Sequence, residues 1–203
     1  MEQVWFYFEL GLWHVLDLVA LDHLLLIAAF SAPYGFNSLK KLIWWTTLFT
    51  IGHSISLLGN NFYNLNISSN WIELLISVSI LIACIPLLSK AQPFARTHSF
   101  FSALILFFGI IHGFGFSRYF GMMVPQESAT KALISFAIGV EAAQITIILA
   151  VLILELVFVR VLSISKEKWQ WGSGRDDCIT SLGNDLPKLA LVNNYFPFQI
   201  LVS

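Results

Sequence analysis

The sequence is short of charge. Only 11% of its 203 residues are Asp, Glu, Lys or Arg and 57% are hydrophobic, whereas an average soluble domain carries about 25% charged residues. That shortage excludes an ordinary soluble domain. The formal net charge of -1 leaves no basic stripe, so nucleic acid is not expected as a partner. Of the two cysteines, Cys84 lies within an apolar run and Cys178 near the end of the chain. They form neither a metal-ligand pair nor a disulfide framework. The absence of a Walker A pattern argues against direct ATP hydrolysis. Ser54 beside His53 does not make a nucleophile and base by adjacency alone, and five histidines are too few for a di-iron lipid oxidase. The chain is therefore not expected to be an enzyme.

What the sequence has instead is long apolar runs. A helix crosses the hydrocarbon core with about 20 mainly apolar residues, and five runs approach or reach that length: Phe8 to Phe30, Leu42 to Leu58, Trp71 to Leu88, Ser99 to Ser117 and Ala132 to Val159. The fold class expected is all-α, a polytopic transmembrane helix bundle of five spans. It occupies residues 1–165, followed by an atypical polar tail over 166–203 that is expected to be poorly ordered. The first run exceeds the 7–15 residues or so of a signal-peptide core and lacks a basic flank, so it is read as a retained span.

The distribution of basic residues predicts an orientation. Lys40 and Lys41 follow the first run, Lys90 and Arg96 the third, and Arg160, Lys166 and Lys168 the fifth, while the N-terminus and the second loop carry none. Arg118 and Lys131 in the fourth loop are mild exceptions, partly offset by Glu127. By the positive-inside rule the N-terminus faces out. Trp5, Trp13, Trp44, Trp45 and Trp71 fall near run ends, where an interfacial aromatic belt belongs. Glu155 nears an inner end and is expected to be solvated.

Against this apolar background, a few polar side chains stand where they cost several kcal/mol. The first run, "GLWHVLDLVALDHLLLIAAF", holds His14, Asp17, Asp22 and His23. His53 lies in "FTIGHSISL" and His112 in "GIIHGFGFS", both among glycines and serines, and "FAIGVEAAQI" carries Glu141 and Gln144 on one helix face. At a rise of about 1.5 Å per residue, His14, His53 and His112 fall at a common depth of roughly 8–10 Å, with Asp17, Glu141 and His23 deeper. Intramembrane acids and histidines normally face the bundle interior and mark ion paths. Neutral imidazole with carboxylate suits a borderline divalent metal such as Ni²⁺, Co²⁺ or Zn²⁺. The bland alternative is that these groups bond one another or a backbone carbonyl and lock helices together.

Helical geometry complicates a single site. On a straight helix His23 points opposite His14, so either the helix is distorted or Asp22 and His23 serve a second partner. Two linked positions are expected rather than one four-ligand site. Glu73, in the first turn of its helix, is accounted for by the helix dipole.

Taken in order, "HVLDLVALDHLLLIAAF", "TLFTIGHSISL", "GIIHGFGFS" and "FAIGVEAAQ" resemble the HupE/UreJ family of bacterial membrane proteins over about residues 5–170. The resemblance implies a multi-pass protein of the bacterial inner (cytoplasmic) membrane, a permease or accessory protein supplying nickel, with hydrogenase or urease maturation proteins as partners. It places the family's polar positions on His14, Asp17, Asp22, His23, His53, His112, Glu141 and Gln144. No resident cofactor is implied, Ni²⁺ being the transported ion. Two departures from the family stand out. Ala20 replaces a glycine usual before the Asp-His pair, making a helix break there less expected. The polar sequence after "KEKWQW" stands where a further apolar span should begin, pointing to divergence or a shifted reading frame. The function expected is transport of a divalent metal, the alternative being a non-transporting accessory protein.

Overall fold

The computed structural model describes residues 2–17, 21–63, 67–88, 98–125, 128–165 and 169. Among these, six α-helices follow in chain order: α1 (Glu2–Leu16), α2 (Asp22–Ser31), α3 (Leu39–Tyr63), α4 (Ser69–Leu88), α5 (His98–Met123) and α6 (Ala129–Leu156). Hydrocarbon offers no water to backbone amides, and a helix satisfies them within one segment. Three segments are long and apolar enough to cross a membrane alone, Phe36–Asn60, Ser99–Met123 and Ala129–Val161, while Asp22–Ser31 and Ser69–Ile85 are shorter apolar helices. The protein is an all-α, polytopic helix bundle.

The first apolar run differs from the continuous helix expected of it. α1 ends at Leu16, Asp17 is not helical, and α2 starts at Asp22 after a turn at Leu21. Residue 20, whose alanine argued against a break, lies outside the described residues. The interruption needs no proline. Asp22 in the first turn of α2 complements the positive end of its dipole, and Asp17 and Asp22 both line a cavity, where non-helical backbone at membrane depth is tolerated.

Two helix pairs pack at backbone contact. In the first, α1 runs parallel to α6: the Ser135 hydroxyl donates to the Val4 carbonyl, and further along, a Cβ on Gly139 would strike the Phe8 carbonyl and Leu12 amide. In the second, α3 runs parallel to α5. Trp45 meets Phe101 at 4.4 Å between ring centroids, a Cβ on Gly109 would strike the Phe49 carbonyl, and one on Gly113 would strike Ser56 and His53. The two pairs run antiparallel to each other. His53 of α3 faces Phe136 of α6, whereas the earlier Thr47 and Thr50 reach the later Glu141 and Gln144.

The belt tryptophans divide. Trp5, Trp13, Trp44 and Trp71 are exposed, but Trp45 is 1% exposed, held against Phe30, Tyr34 and Phe101. Its neighbour Trp44 takes the outward position because successive helical residues point about 100° apart. The Lys41 ammonium lies 4.7 and 4.5 Å from the Tyr34 and Trp45 ring centroids, a cation–π contact at the start of α3. Glu155, expected to be solvated, is buried on α6.

Apart from Trp169, the 166–203 tail lies outside the described residues. The Trp169 indole donates to the Ala32 carbonyl at 3.3 Å and packs on Phe158. Truncation after Trp171 retains this contact and is expected to leave membrane abundance unchanged in a quantitative immunoblot. A severalfold loss would give the remaining residues a structural role.

Candidate metal centre

The break in the first run changes the geometry of its histidines. Nine residues apart on one straight helix, His14 and His23 would point to opposite sides. On two separate helices their rings approach to 4.8 Å between centroids. His53 joins from α3, 5.5 Å from His14 and 5.6 Å from His23. His112 joins from α5, 5.2 Å from His23. The structure gathers four imidazoles in one cluster, in place of the two linked positions expected, because the helix does not continue through Asp17.

Apolar rings hold this cluster. Phe136 lies 5.6 Å from the His14 ring and 6.1 Å from that of His53. Phe49 lies 5.7 Å from His23 and 5.2 Å from His112. Phe116 sits against His14 at 4.1 Å. The small residues beside His53 and His112 let α3 and α5 approach closely enough for both histidines to enter one layer.

The hydrogen bonding of the imidazoles separates a site from interhelical glue. His112 Nδ1 lies 2.9 Å from the Phe108 carbonyl, which makes Nδ1 the donor and leaves Nε2 as the lone-pair nitrogen. Among the described residues, that Nε2 has no hydrogen-bond partner, nor have Nε2 of His14, Nε2 of His23, or either ring nitrogen of His53. Each buried polar atom left unsatisfied costs about 1–3 kcal/mol. Interhelical hydrogen bonds among the imidazoles would have paired them, so their free lone pairs favour a ligand. Ligand nitrogens of His14, His23 and His53 all lie within 4.8 Å of one another. Ligands of a tetrahedral shell sit about 3.3 Å apart, so these three nitrogens would hold a shared ion after closing by at most about 1.5 Å. The donor set fits a borderline divalent metal.

The carboxylates are distributed around this centre. Asp17 and Asp22 line a cavity of about 680 Å³ together with His14, His23 and His112, and the same cavity reaches Asn60 on α3, Glu73 on α4 and Arg118 on α5. α1 also directs its C-terminal end, the negative end of its dipole, toward the cluster, which favours a cation.

Glu141 and Gln144 make a different group. Thr47 and Thr50 donate to the two Glu141 carboxylate oxygens at 2.7 Å each, and Thr50 Oγ1 lies 3.0 Å from the Gln144 amide oxygen. One hydroxyl proton cannot serve both Glu141 and Gln144, and Gln144 is fully buried with Nε2 unpartnered. These contacts join α3 to α6. Replacing both Thr47 and Thr50 by valine is expected to cost about 2–4 kcal/mol, since hydrogen bonds to a charged group contribute about 1.5–3 kcal/mol each in soluble proteins and less in membranes. Thermal unfolding in detergent reads the loss; an unchanged midpoint would remove the clamp.

Sequence reasoning did not single out Thr47, Thr50, Phe49, Phe116 or Phe136, and it gave Glu73 to the helix dipole. One signal was available for two of them: Phe-x-Ile-Gly occurs at Phe49–Gly52 and again at Phe136–Gly139.

Comparison with curated proteins and with solved structures gives no match. The family model described as HupE / UreJ protein matches residues 1–175, most of the chain, and the protein belongs to the HupE/UreJ family.

Proposed function

We propose that the protein carries a divalent transition metal ion, nickel, across the bacterial inner membrane, binding it at His14, His23, His53 and His112. Asp17 and Asp22 serve on the approach, and Glu141 with Gln144 lies beyond. The observation that carries this reading is the set of buried ring nitrogens without partners on α1, α2, α3 and α5. The HupE/UreJ family consists of permeases and accessory factors rather than enzymes. Five crossings follow if the interrupted α1 and α2 form one discontinuous span and α4 another, a construction that transporters use to place backbone and side chains around an ion. The charge count then puts the N-terminus and the cavity outside, and the 166–203 tail inside.

Imidazole ligands, with carboxylates along the route, release an ion more readily than thiolates do, as transport requires. The alternative is an accessory protein that binds metal and hands it to a hydrogenase or urease maturation partner without moving it across the bilayer. Purified protein in sealed vesicles separates the two. Transport predicts Ni²⁺ accumulation inside, weakened by acidification of the bath because protons compete for the same nitrogens. Binding without accumulation would leave the accessory role. Uptake rising steadily on acidification would contradict simple competition at the histidines.

A further inference from the structure

The two tight helix pairs follow one plan. A shift of 98 residues carries Gly11 of α1 onto Gly109 of α5 and His14 onto His112, while a shift of 87 carries Phe49 of α3 onto Phe136 of α6 and Gly52 onto Gly139. The contacts transform with the numbering. A Cβ on Gly11 would strike the Phe136 carbonyl, and one on Gly109 the Phe49 carbonyl. A Cβ on Gly139 would strike the Phe8 carbonyl and Leu12 amide, and one on Gly52 the Leu106 carbonyl and Ile110 amide. These partners are again related by the shift of 98. Phe136 stands 5.6 Å from His14, and Phe49 stands 5.2 Å from His112. Each pair is parallel within itself and antiparallel to the other, so the relation is an inverted repeat with the histidine layer between its halves.

The repeat is unequal on the two sides of that layer. Toward the end of α3, the cavity of about 680 Å³ runs from the histidines to Asn60, Glu73 and Arg118. Toward the start of α3, the route meets Thr47, Thr50, Glu141 and the fully buried Gln144. One side opens into a cavity, and the other is crossed by a hydrogen-bonded group that joins α3 to α6. Transporters made of two inverted halves rock one half against the other around a fixed site, so that the halves exchange environments.

We infer that the α1·α6 and α3·α5 pairs form an inverted repeat whose relative rocking exposes the histidine cluster to opposite faces in turn, through the Glu73-lined cavity in the present state and along Thr47, Glu141 and Gln144 in the other. This rests on the transport reading of the same cluster. It assigns Glu73 to the mouth of the open route, where its carboxylate attracts a hydrated divalent cation. It assigns the Thr47–Glu141 clamp to the closed gate.

The test uses two reporters in a full-length background lacking Cys84 and Cys178. Ser117→Cys replaces a buried residue lining the cavity, and Thr47→Cys replaces a clamp residue on the other side. Rates of modification by a membrane-impermeant thiol reagent are measured from each face, with and without Ni²⁺. Ser117→Cys is expected to react from the cavity face and Thr47→Cys from the opposite face, and Ni²⁺ is expected to change the two rates in opposite senses by about tenfold. Reaction of both from one face, or rates that Ni²⁺ moves together or leaves alone while the protein still binds it, overturns the inference. A parallel binding measurement separates the two ideas, since absence of Ni²⁺ binding removes the transport reading itself. If Thr47→Cys does not accumulate, Ala137→Cys, half-buried on α6 between Phe136 and Glu141, takes its place with the same expected outcome.

Discussion

Replacing His53 by leucine is expected to abolish metal binding and at the same time to make the metal-free protein more stable. His53 is 1% exposed, and both of its ring nitrogens lack partners. In the absence of metal the imidazole contributes only its packing, against a desolvation cost of about 1–3 kcal/mol per unsatisfied atom. An apolar side chain of similar size removes that cost and keeps the contacts with Phe49 and Phe136. With two such atoms, the metal-free variant should therefore gain on the order of 2 kcal/mol or more. Saturating Ni²⁺ should stabilise the parent protein, by about 2.7 kcal/mol at a hundredfold excess over the dissociation constant, and leave the variant unmoved. Thermal unfolding in detergent, run with and without Ni²⁺, reads both effects. A variant that fails to accumulate, or unfolds earlier without metal, would show that the histidine holds helices together.

The second large effect concerns the glycines at the helix crossings, and it predicts opposite signs on one helix. An alanine Cβ at Gly52 would fall on the Leu106 carbonyl oxygen, whereas one at Gly59 meets nothing within 4 Å. Both positions lie in α3, where alanine is the better helix former by about 0.5–1 kcal/mol. Gly59→Ala should realise that gain. Gly52→Ala should instead force α3 away from α5, costing about 3 kcal/mol or more because the obstacle is backbone and cannot change rotamer. It should also pull His53 from the cluster, so residual protein should bind metal more weakly. Equal behaviour of the two variants would contradict the close crossing.

The glycine variants also mark what sequence could and could not convey. Apolar run length made the three long helices legible, since the demand for internal backbone hydrogen bonding acts on any segment of that kind. The polar residues at membrane depth were legible for the same reason, because their cost makes each conspicuous. The convergence of His14 and His23 was not. It depends on the chain leaving the helix at Asp17, and neither proline nor glycine marks that point. Alternation of Trp44 and Trp45 between lipid and core depends on which face of α3 meets α5, which short-range pattern does not specify when both faces are apolar. Thr47 and Thr50 were illegible because threonine is common in membrane helices, and only α6 across the interface makes them partners of Glu141. The repeat is not legible in the sequence because its halves occur in exchanged order, α1 with α6 and α5 with α3, and share little beyond Gly-x-x-His and Phe-x-Ile-Gly.

The most direct measurement is X-ray absorption spectroscopy at the Ni edge on purified protein loaded with one equivalent of Ni²⁺, made on the parent chain and on His53→Leu. The proposed function predicts a bound ion with at least three imidazole nitrogens in its shell, and loss of that signature in the variant. A shell of oxygen ligands alone, or a spectrum that His53→Leu leaves unchanged, would contradict a metal centre at the histidine cluster.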